Sequence, residues 1–414
     1  MATHPDPEAA RRVATDIARA LHAHAHIAYF AGGCVRDALL GHDPTDYDIA
    51  TDATPDRVQA LFDRTAAVGA HFGVVLVKRR GVTVEVATFR SEGPYSDQRR
   101  PDSVTFSDPE SDARRRDFTI NALFLDPFDG DRVIDFVGGR RDLEAGLVRA
   151  VGDPDARLAE DHLRALRAVR FAARLGFRLD PPTADAIRRH ATELAGVSRE
   201  RIGDELRRML VPPSRAEAAR LVEDLGLDTP VLGARATSVG GRLGRLPPGA
   251  DVAQSLAAWL LDRSDIEAAG ATAAGAITDR LRERLMLSNH EHDALRATLE
   301  TAGALVGWAG LSVAARKRLA ASDRFQAALA LLSEPGERAL AEQIAADVRT
   351  LSQTPSGLAP APLITGDDLI GAGWTPGPAF RRVLDAVYDA QLEDRVATRA
   401  GAMELAARLG VERA

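Results

Sequence analysis

Apolar and β-branched runs fill the first third of the chain and predict a single β-sheet. Six segments have the β-branched and aromatic content of strands: 27–32, 46–51, 73–80, 82–89, 120–127 and 131–136. Apolar residues recur at helical spacing over 8–23 and 34–41. We therefore predict an α+β head that ends near residue 145.

From about Gly146 the pattern changes to amphipathic helices. The clearest covers 159–177, where Leu163, Leu166 and Val169 follow one face. Breaks rich in proline and glycine interrupt this half, and they lie at 211–216, 237–251 and 352–362. They predict helical segments at 146–210, 211–351 and 363–414, with 352–362 as a linker.

The composition of the chain limits the class of protein to which it can belong. With 414 residues the chain exceeds one ordinary core, and 45% hydrophobic with 27% charged residues is typical of a soluble globular protein. No apolar run is long enough for a bilayer, and no export signal is apparent. The lone cysteine, Cys34, excludes an intrachain disulfide and suits a reducing cytoplasm. A net charge of −7 does not exclude nucleic acid, because salt screens exposed charges beyond roughly 8 Å.

Two adjacent glycines, Gly32 and Gly33, lie between a predicted strand and a predicted helix. Without a Cβ atom they let backbone N–H groups approach an anion, and a helix N-terminus carries partial positive charge. Arg36, in the first turn, is expected to reach the same anion. The pair is neither the three-glycine dinucleotide fingerprint nor a Walker loop, so we interpret it as a phosphate-binding turn.

Two aspartates one residue apart, Asp46 and Asp48, belong to the next predicted strand and would share one face. Carboxylates about 4 Å apart repel by roughly 4 kcal/mol at an effective dielectric constant near 20. A divalent cation between the carboxylates turns this repulsion into a net attraction. Mg²⁺ bound by carboxylates and substrate phosphates is the usual arrangement in phosphoryl-transfer chemistry. We predict a magnesium site here. Glu85, between valines on another strand, is a third candidate, either as metal ligand or base, or as the partner of an arginine.

Three segments together resemble one protein family. The stretches GGCVRDALLGHDPTDYDIAT, RRDFTINAL and EDHLRALRAVRFAARLGF resemble, in order and spacing, the signature segments of class II tRNA nucleotidyltransferases. These CCA-adding enzymes share a polymerase-beta-like head with bacterial poly(A) polymerases. The resemblance covers about 27–210, and 373–406 also resembles the C-terminal segment of that family.

The resemblance implies an architecture and a reaction. A catalytic nucleotidyltransferase head with one mixed sheet would cover 1–145, followed by an all-helical neck, body and tail at 146–210, 211–351 and 363–414. The neck would recognise the nucleotide base, and the tail would bind tRNA. The implied reaction adds CCA from CTP and ATP to the 3′ end of tRNA without a template. The RNA 3′-hydroxyl attacks the α-phosphorus, pyrophosphate leaves, and two Mg²⁺ ions assist.

The resemblance also implies roles for single residues. Gly33 and Arg36 would bind the incoming nucleotide, and Asp46 and Asp48 would hold the catalytic metals. In the second segment Arg116 would contact a nucleotide phosphate, and two neighbours would support the site, Asp117 and Asn121. Arg115 is interpreted as structural.

Base selection would fall to Asp161 and Arg164, by the same resemblance. Cytosine and adenine each present an amino donor beside a ring-nitrogen acceptor, which a carboxylate and a guanidinium can pair. Guanine and uracil place a carbonyl where the amino group should be, and each mismatched buried group costs about 1–3 kcal/mol. Arg167 and Arg170 would either serve phosphates or hold the helix in place.

Several alternatives stay open or are disfavoured. A poly(A) polymerase would carry a basic Arg-Phe-rich stretch where this chain has 68–77, which favours the tRNA enzyme. Relatives that add CC alone lack part of a flexible loop, whereas 90–106 has full length here. An enzyme that adds only A is not excluded. A non-catalytic RNA-binding protein would lack Asp46 or Asp48, and an antibiotic-modifying nucleotidyltransferase would not need the long helical half.

Overall fold

The structure is a computed structural model, which describes residues 6–67, 73–93, 103–235, 241–263 and 271–410. The chain divides into two compact units. The first unit comprises Met1–Met209 and Glu217–Arg235, and the second comprises Leu210–Ala216 and Ala236–Ala414.

The first unit is built on one seven-stranded sheet of order β3-β4-β5-β2-β1-β8-β9. Its strands are β1 (Ala28–Ala31), β2 (Asp48–Thr51), β3 (Thr65–Ala66), β4 (Val74–Arg79), β5 (Val82–Thr88), β8 (Phe124–Asp126) and β9 (Arg132–Ile134). β2 and β5 pair in parallel, whereas the other pairs are antiparallel. The predicted mixed sheet of the head is confirmed. Two short ladders lie outside it, β6 (Arg90–Glu92) with β7 (Val104–Phe106) and β10 (Leu147–Val148) with β11 (Arg178–Leu179).

Two predicted strand limits are wrong. β2 begins at Asp48, so Asp46 lies in the preceding loop and the expectation that the two aspartates alternate on one strand fails. Thr119–Asn121 is a 3₁₀ turn, and β8 begins only at Phe124. In both places the chain leaves the sheet to make polar contacts. The pattern of apolar residues does not predict where such contacts end a strand.

The helices of the first unit cover the sheet and continue beyond it. They are α1 (Pro7–Ala23), α2 (Gly33–Leu39), α3 (Pro55–Leu61), α4 (Pro109–Arg114), α5 (Gly139–Glu144), α6 (Pro154–Glu160), α7 (Arg164–Leu175), α8 (Pro181–His190), α9 (Arg199–Leu210), α10 (Arg215–Asp224) and α11 (Asp228–Leu232). Asp6 caps α1, and the helix buries Val13, Ile17 and Leu21. Such a buried apolar stripe, rather than intrinsic propensity, stabilises most helices.

The single helix predicted over 159–177 is broken. α6 ends at Glu160, and Asp161 adopts an extended backbone with φ −156° and ψ 101°. The Asp161 carboxylate accepts the Leu163 N–H at 3.1 Å, and its carbonyl accepts the Arg164 N–H at 3.0 Å. Asp161 therefore lies at a turn between two helices, because a short carboxylate can satisfy backbone donors locally.

The second unit is helical throughout its described part. It contains α12 (Arg242–Arg245), α13 (Val252–Asp262), α14 (Ala271–Leu285), α15 (Asn289–Val306), α16 (Val313–Ala320), α17 (Phe325–Leu329), α18 (Arg338–Ser352), α19 (Gly366–Gly371), α20 (Pro378–Leu392) and α21 (Arg399–Arg408). A separate C-terminal core gathers around Leu369, Trp374, Val387 and Ala402. Among the described helices, none combines the length and apolar character that a bilayer span requires.

The predicted linker at 352–362 is partly packed. Lys317, fully buried, donates from Nζ to the hydroxyls of Thr354 and Ser356. The Ser356 N–H in turn donates to Asp394 at 2.9 Å. These side-chain bonds tie a segment without regular structure to the surrounding helices.

Candidate functional site

One cleft of about 1010 Å³ in the first unit collects the residues that the sequence singled out. All thirteen predicted site residues line it: Gly32, Gly33, Arg36, Asp46, Asp48, Glu85, Arg116, Asp117, Asn121, Asp161, Arg164, Arg167 and Arg170. They come from α2 and the glycine turn before it, from β2, β5 and the loop before β2, from the segment after α4, and from α7 and the turn before it. The structure thus brings the predicted site residues together, and their individual roles stay predictions.

Three carboxylates lie at the cleft floor. Asp48 opens β2 and is in direct register with Glu85 on the neighbouring parallel strand β5, while Asp46 precedes β2 by two residues. Asp48 is open to the cleft yet surrounded by protein. Burial, reinforced by Glu85 and Asp46 and opposed by Arg116, raises the pKa of Asp48 to about 6. Oxygen ligands in a site that disfavours uncompensated negative charge fit a hard divalent cation.

Gly32 is the residue that turns the chain from β1 into α2. Its φ of +71° lies in the left-handed region, and a Cβ atom built on it would lie 3.0 Å from Nη1 of Arg116. A residue with a side chain would be strained there and would push that guanidinium aside. Gly33 begins the helix directly beside it.

Arg36 is buried and bonded within the protein. Its Nη1 donates to the Asn121 side-chain oxygen at 2.6 Å, and its Nε donates to Asp37 at 2.8 Å. The guanidinium also lies 5.0 Å from the ring centre of Phe171. Arg36 thus links α2, the 3₁₀ turn and α7, in addition to lining the cleft.

Asp112 holds two adjacent arginines, and sequence reasoning missed it. Arg115 donates to its Oδ1 at 2.6 Å, and Arg116 donates to its Oδ2 at 3.0 Å. Burial would raise the pKa of Asp112, but the two guanidinium groups outweigh burial and lower it. Arg116 additionally donates to the Asn121 carbonyl at 3.1 Å. The available signal was the spacing, because Asp112 precedes Arg115 by three residues and Arg116 by four, the i, i+3 and i, i+4 distances at which side chains meet on a helix.

Asp117 and Arg167 form a two-pronged ion pair across 50 positions of sequence. Nε and Nη2 of Arg167 donate to Asp117 Oδ2 at 2.8 and 2.6 Å, and Asn121 donates to Oδ1 at 3.1 Å. Burial would raise the pKa of Asp117, yet Arg167 and the hydrogen bonds lower it to about 2. The pair fixes α7 against the head.

Asp161 and Arg164 each have a protein partner. Arg201 on α9 donates to Asp161 Oδ2 at 2.6 Å. Arg164 donates from Nη1 to the Arg157 carbonyl at 2.7 Å and to the Glu160 carboxylate. Among the described residues only Nη1 of Arg164 is engaged, so its other N–H groups are available to a ligand.

Arg115, which the sequence analysis interpreted as structural, also lines the cleft, and so do four further arginines: Arg90, Arg174, Arg201 and Arg208. Arg170 donates to buried Glu205 at 2.6 Å and lies 4.4 Å from the Phe171 ring centre. α9 therefore contributes to the site, and its arginine-rich sequence between 199 and 208 was the signal. The net negative charge of the chain gave no indication of this arginine-rich side of the cleft, because the local distribution of charge decides what a surface attracts.

Two other expectations concern the surroundings of the cleft. Cys34 is buried, and burial raises the pKa of its thiol to about 11, as a packed, unreactive cysteine requires. The loop used to argue against CC-only addition lies mostly outside the described residues, since 94–102 are not among them.

Two family models match the chain. Residues 28–149 match the poly A polymerase head domain, and residues 176–232 match the model described as the probable RNA and SrmB binding site of polymerase A. The three cleft carboxylates fall within the first match. Asp161 and the arginines of α7 fall between the two.

Curated relatives match about half of the chain. The CCA-adding enzyme of Geobacillus thermodenitrificans is 48% identical over 217 residues, which is 52% of this chain and 53% of that protein. The CCA-adding enzyme of Bacillus subtilis is 45% identical over 207 residues, or 48% and 52% of the two chains. The matched part spans about half the length of these relatives.

Solved structures match over nearly the whole length. The Bacillus stearothermophilus CCA-adding enzyme in complex with CTP superposes with a TM-score of 0.71 at 29% identity, covering 98% of both chains. The Thermotoga maritima CCA-adding enzyme complexed with tRNA gives a TM-score of 0.68 at 19% identity, covering 99% and 97%; at that identity the likeness concerns the fold. These findings confirm the resemblance that the sequence motifs indicated, and the α+β fold with it.

Proposed function

We propose that the chain is a template-independent nucleotidyltransferase that adds CCA, from CTP and ATP, to the 3′ end of tRNA. The observation that carries the proposal is one cleft lined both by the acids Asp46, Asp48 and Glu85 and by the pair Asp161 and Arg164. The likeness to CCA-adding enzymes, solved with CTP in one case and with tRNA in another, supports it. We expect the reaction in the cytoplasm, which suits a chain with one cysteine.

The acids supply the site for Mg²⁺, with Asp46 and Asp48 as ligands and Glu85 beside them. When bound, Mg²⁺ would lower the pKa of the RNA 3′-hydroxyl and neutralise the triphosphate, by the two-metal scheme. Asp48 must be ionised to serve as a ligand, and its raised pKa makes that ionisation unfavourable below about pH 6 without a cation. The carboxylates are therefore arranged for the positive charge of a bound cation.

The phosphates would lie against the turn at Gly32 and Gly33, with Arg116 above it. A Cβ atom at Gly32 would lie 3.0 Å from Arg116 Nη1, so only glycine lets the turn lie this close to the guanidinium. Positioning and charge neutralisation would supply most of the rate, so no covalent nucleophile is needed. Arg167 and Arg170 are engaged by Asp117 and Glu205, which favours positioning of α7 over direct phosphate contact.

The base would be read by Asp161 and Arg164. Asp161 already accepts from Arg201 and from the Leu163 N–H, but each carboxylate oxygen has a second lone pair for the amino group of cytosine or adenine. Free donors of Arg164 would pair with the ring-nitrogen acceptor. Two reversed contacts would reject uracil or guanine by roughly 10²-fold or more.

Poly(A) synthesis is the second candidate, because the family model that covers the head is that of poly A polymerase. Both reactions use the same acids and the same attack on the α-phosphorus. They differ in the RNA that is extended and in whether CTP is used.

The test incubates the purified protein with tRNAs that end before the tail, after one C and after CC, supplying CTP, ATP or both, and sequences the products. Full addition of CCA is expected. Addition of A alone to the CC end would indicate an A-adding enzyme, and long A tracts on any RNA would indicate poly(A) synthesis. Asp46→Asn and Asp48→Asn should abolish extension, whereas Asp56→Asn, on exposed α3 outside the cleft, should not. Extension at full rate by both cleft variants would exclude the proposal.

A further inference from the structure

A second group of ligand-type side chains lies away from the nucleotide cleft. His162, His190 and Glu193 bring one nitrogen or oxygen atom each to within 4.8 Å of one another. His162 lies in the turn between α6 and α7, His190 ends α8, and Glu193 lies in the 3₁₀ turn Ala191–Gly196. None of the three lines the cleft. We call this group the His162 cluster.

His162 is the least expected member. Its side chain is 3% exposed, and its Nδ1 atom has no hydrogen-bond partner within the described residues. The nearest charged atom is Glu193 Oε2 at 3.3 Å, without hydrogen-bond geometry. Buried polar atoms are almost always paired. An imidazole nitrogen that is buried, unpaired and within 4.8 Å of a carboxylate oxygen and a second imidazole nitrogen therefore points to a missing ligand.

His190 is oriented by its own partner. Its Nε2 lies 3.1 Å from Asp155 Oδ1, and Asp155 is itself held by two donors of Arg189 at 3.0 and 2.7 Å. His190 Nδ1 lies 2.6 Å from Glu193 Oε2, a hydrogen bond whose proton an incoming metal ion would displace. Metal-bound histidines are commonly held this way, with the remote N–H donated to a carboxylate.

We propose that His162, His190 and Glu193 form a zinc site. Two imidazole nitrogens and one carboxylate oxygen are ligands that Zn²⁺ takes, leaving a fourth position for water. Ligands 2.0–2.1 Å from a tetrahedral ion lie roughly 3.4 Å apart, close to the 3.3 Å between His162 and Glu193. The shorter His190–Glu193 contact would open when an ion enters. Imidazole ligands favour zinc over magnesium or calcium.

Zinc at this position would act on the neighbouring turn. His162 directly follows Asp161, whose extended backbone breaks the helix between α6 and α7. A metal bound to His162 and to the end of α8 would fix that turn, because ligation removes backbone freedom from the segment between α6 and α7. The role is structural, and binding is expected to raise the midpoint of thermal unfolding.

The experiment uses the full chain, freed of any tag and of metal by a chelator, and titrates it with Co²⁺ as a spectroscopic probe for zinc. We expect one Co²⁺ bound with the intense visible absorption of a four-coordinate site containing nitrogen, displaced by one equivalent of Zn²⁺. Carboxylates in the cleft would give only the weak bands of six-coordinate oxygen sites, so they do not interfere. Neither nucleotide nor RNA is needed, which makes the result independent of the proposed function.

Two variants of the cluster and one control variant decide the outcome. His190→Ala and Glu193→Gln, both partly exposed, should lose the absorption band and the thermal shift. His290→Ala, an exposed histidine on α15, should keep both. His162→Ala is a third probe, less decisive because its side chain is buried. Absence of the band in the natural chain, or its persistence in His190→Ala and Glu193→Gln, would overturn the proposal and leave a protonated His190 between Asp155 and Glu193 as the account of the cluster.

Discussion

Arg201 on α9 donates from Nη2 to Asp161 Oδ2 at 2.6 Å, so the carboxylate proposed to read the base is held by another helix. Asp161 lies in a turn, where the Leu163 N–H donates to its other carboxylate oxygen at 3.1 Å. The two bonds together hold both oxygens of the carboxylate. We therefore infer that Arg201 positions the carboxylate that is proposed to select the base.

Arg201→Ala is expected to reduce discrimination rather than the chemical step. A hydrogen bond to a charged group contributes about 1.5–3 kcal/mol, so the preference for CTP over UTP should fall roughly tenfold or more, with a small change in the rate for CTP. Single-nucleotide incorporation with each triphosphate measures kcat/KM for both. Arg207→Ala, on the same helix but outside the cleft lining, is the control. Equal loss of rate for CTP and UTP would contradict the positioning role.

The pKa of Asp48 predicts a trade between stability and activity. Because burial, Glu85 and Asp46 raise the pKa to about 6, the folded state favours protonated Asp48. Its contribution to stability is complete below about pH 4 and is lost as the pH rises through 6. In metal-free protein Asp48→Asn should therefore increase the free energy of unfolding at pH 7, by on the order of 1 kcal/mol after allowance for solvent screening, and change it little at pH 4.

Urea denaturation of both proteins at the two pH values, with a chelator present, measures this difference. Asp56→Asn serves as the matched control, since it lies on exposed helical surface. Identical pH profiles for the natural chain and Asp48→Asn would show that Asp48 carries no strain. Extension of RNA by Asp48→Asn should be lost at every pH.

Gly32→Ala tests the turn that is proposed to hold phosphate. The new Cβ would meet Arg116 Nη1 at 3.0 Å in a backbone with φ +71°. Gly41→Ala is a matched control, because Gly41 has φ +75° and nothing within 4 Å of its Cβ position. Both variants should lose roughly 1 kcal/mol of stability from backbone strain. Only Gly32→Ala should also raise KM for the nucleotide, and an unchanged KM would argue against a phosphate at this turn.

Apolar patterning predicted the elements of the first unit well, because buried faces leave periodic signals. The strands that carry Asp48 and Glu85 were each predicted, although their parallel pairing was not, and helices α1 and α2 lie within one residue of the predicted starts. The predicted ends of strands and helices were wrong where side chains compete with the backbone for hydrogen bonds. Asp46 lies outside β2, and Asp161 interrupts a pattern that reads as one continuous helix.

The polar partners of the site were harder to predict than the site itself. Short motifs identified the residues that line the cleft, whereas Asp112, Arg201 and Glu205 act on them from other segments. Pairings over 35 to 50 positions, such as Arg170 with Glu205 and Arg167 with Asp117, depend on helix packing that one sequence does not specify. The His162 cluster was missed for the same reason, since its members come from three separate elements.

The ion pair of Asp117 and Arg167 should dominate the acid stability of the first unit. Because the pKa of Asp117 is lowered to about 2, the ionised carboxylate stabilises the fold above about pH 4, and that contribution is lost as the pH falls toward 2. Arg167→Ala leaves a buried carboxylate unpaired and should cost about 3–5 kcal/mol at pH 7. The double variant with Asp117→Asn should recover part of that loss. A double-mutant cycle by urea denaturation measures the coupling, and additive effects would mean that the two residues act independently.

The contacts of Lys317 indicate how the segment 352–362 is held in the second unit. Its side chain is fully buried, with Nζ bonded to the hydroxyls of Thr354 and Ser356 and 3.9 Å from Asp394. Both hydroxyls also donate to backbone carbonyls, so they keep a partner without the lysine. Lys317→Ala should cost about 2–4 kcal/mol, because it leaves a cavity. Lys317→Met, which preserves most of the volume, should cost less than half of that, since apolar replacement of a buried charge is often tolerated.

The urea midpoint of the second unit distinguishes volume from charge as the stabilising property. Arg318→Ala removes the neighbouring, more exposed ion pair with Asp389 and should change stability by less than about 1 kcal/mol. If Lys317→Met is as destabilising as Lys317→Ala, the ammonium itself holds the segment through its hydroxyl contacts. In that case Thr354→Val should destabilise the natural chain more than it destabilises Lys317→Met, because in Lys317→Met only the bond from the threonine hydroxyl to the Leu351 carbonyl is left to lose.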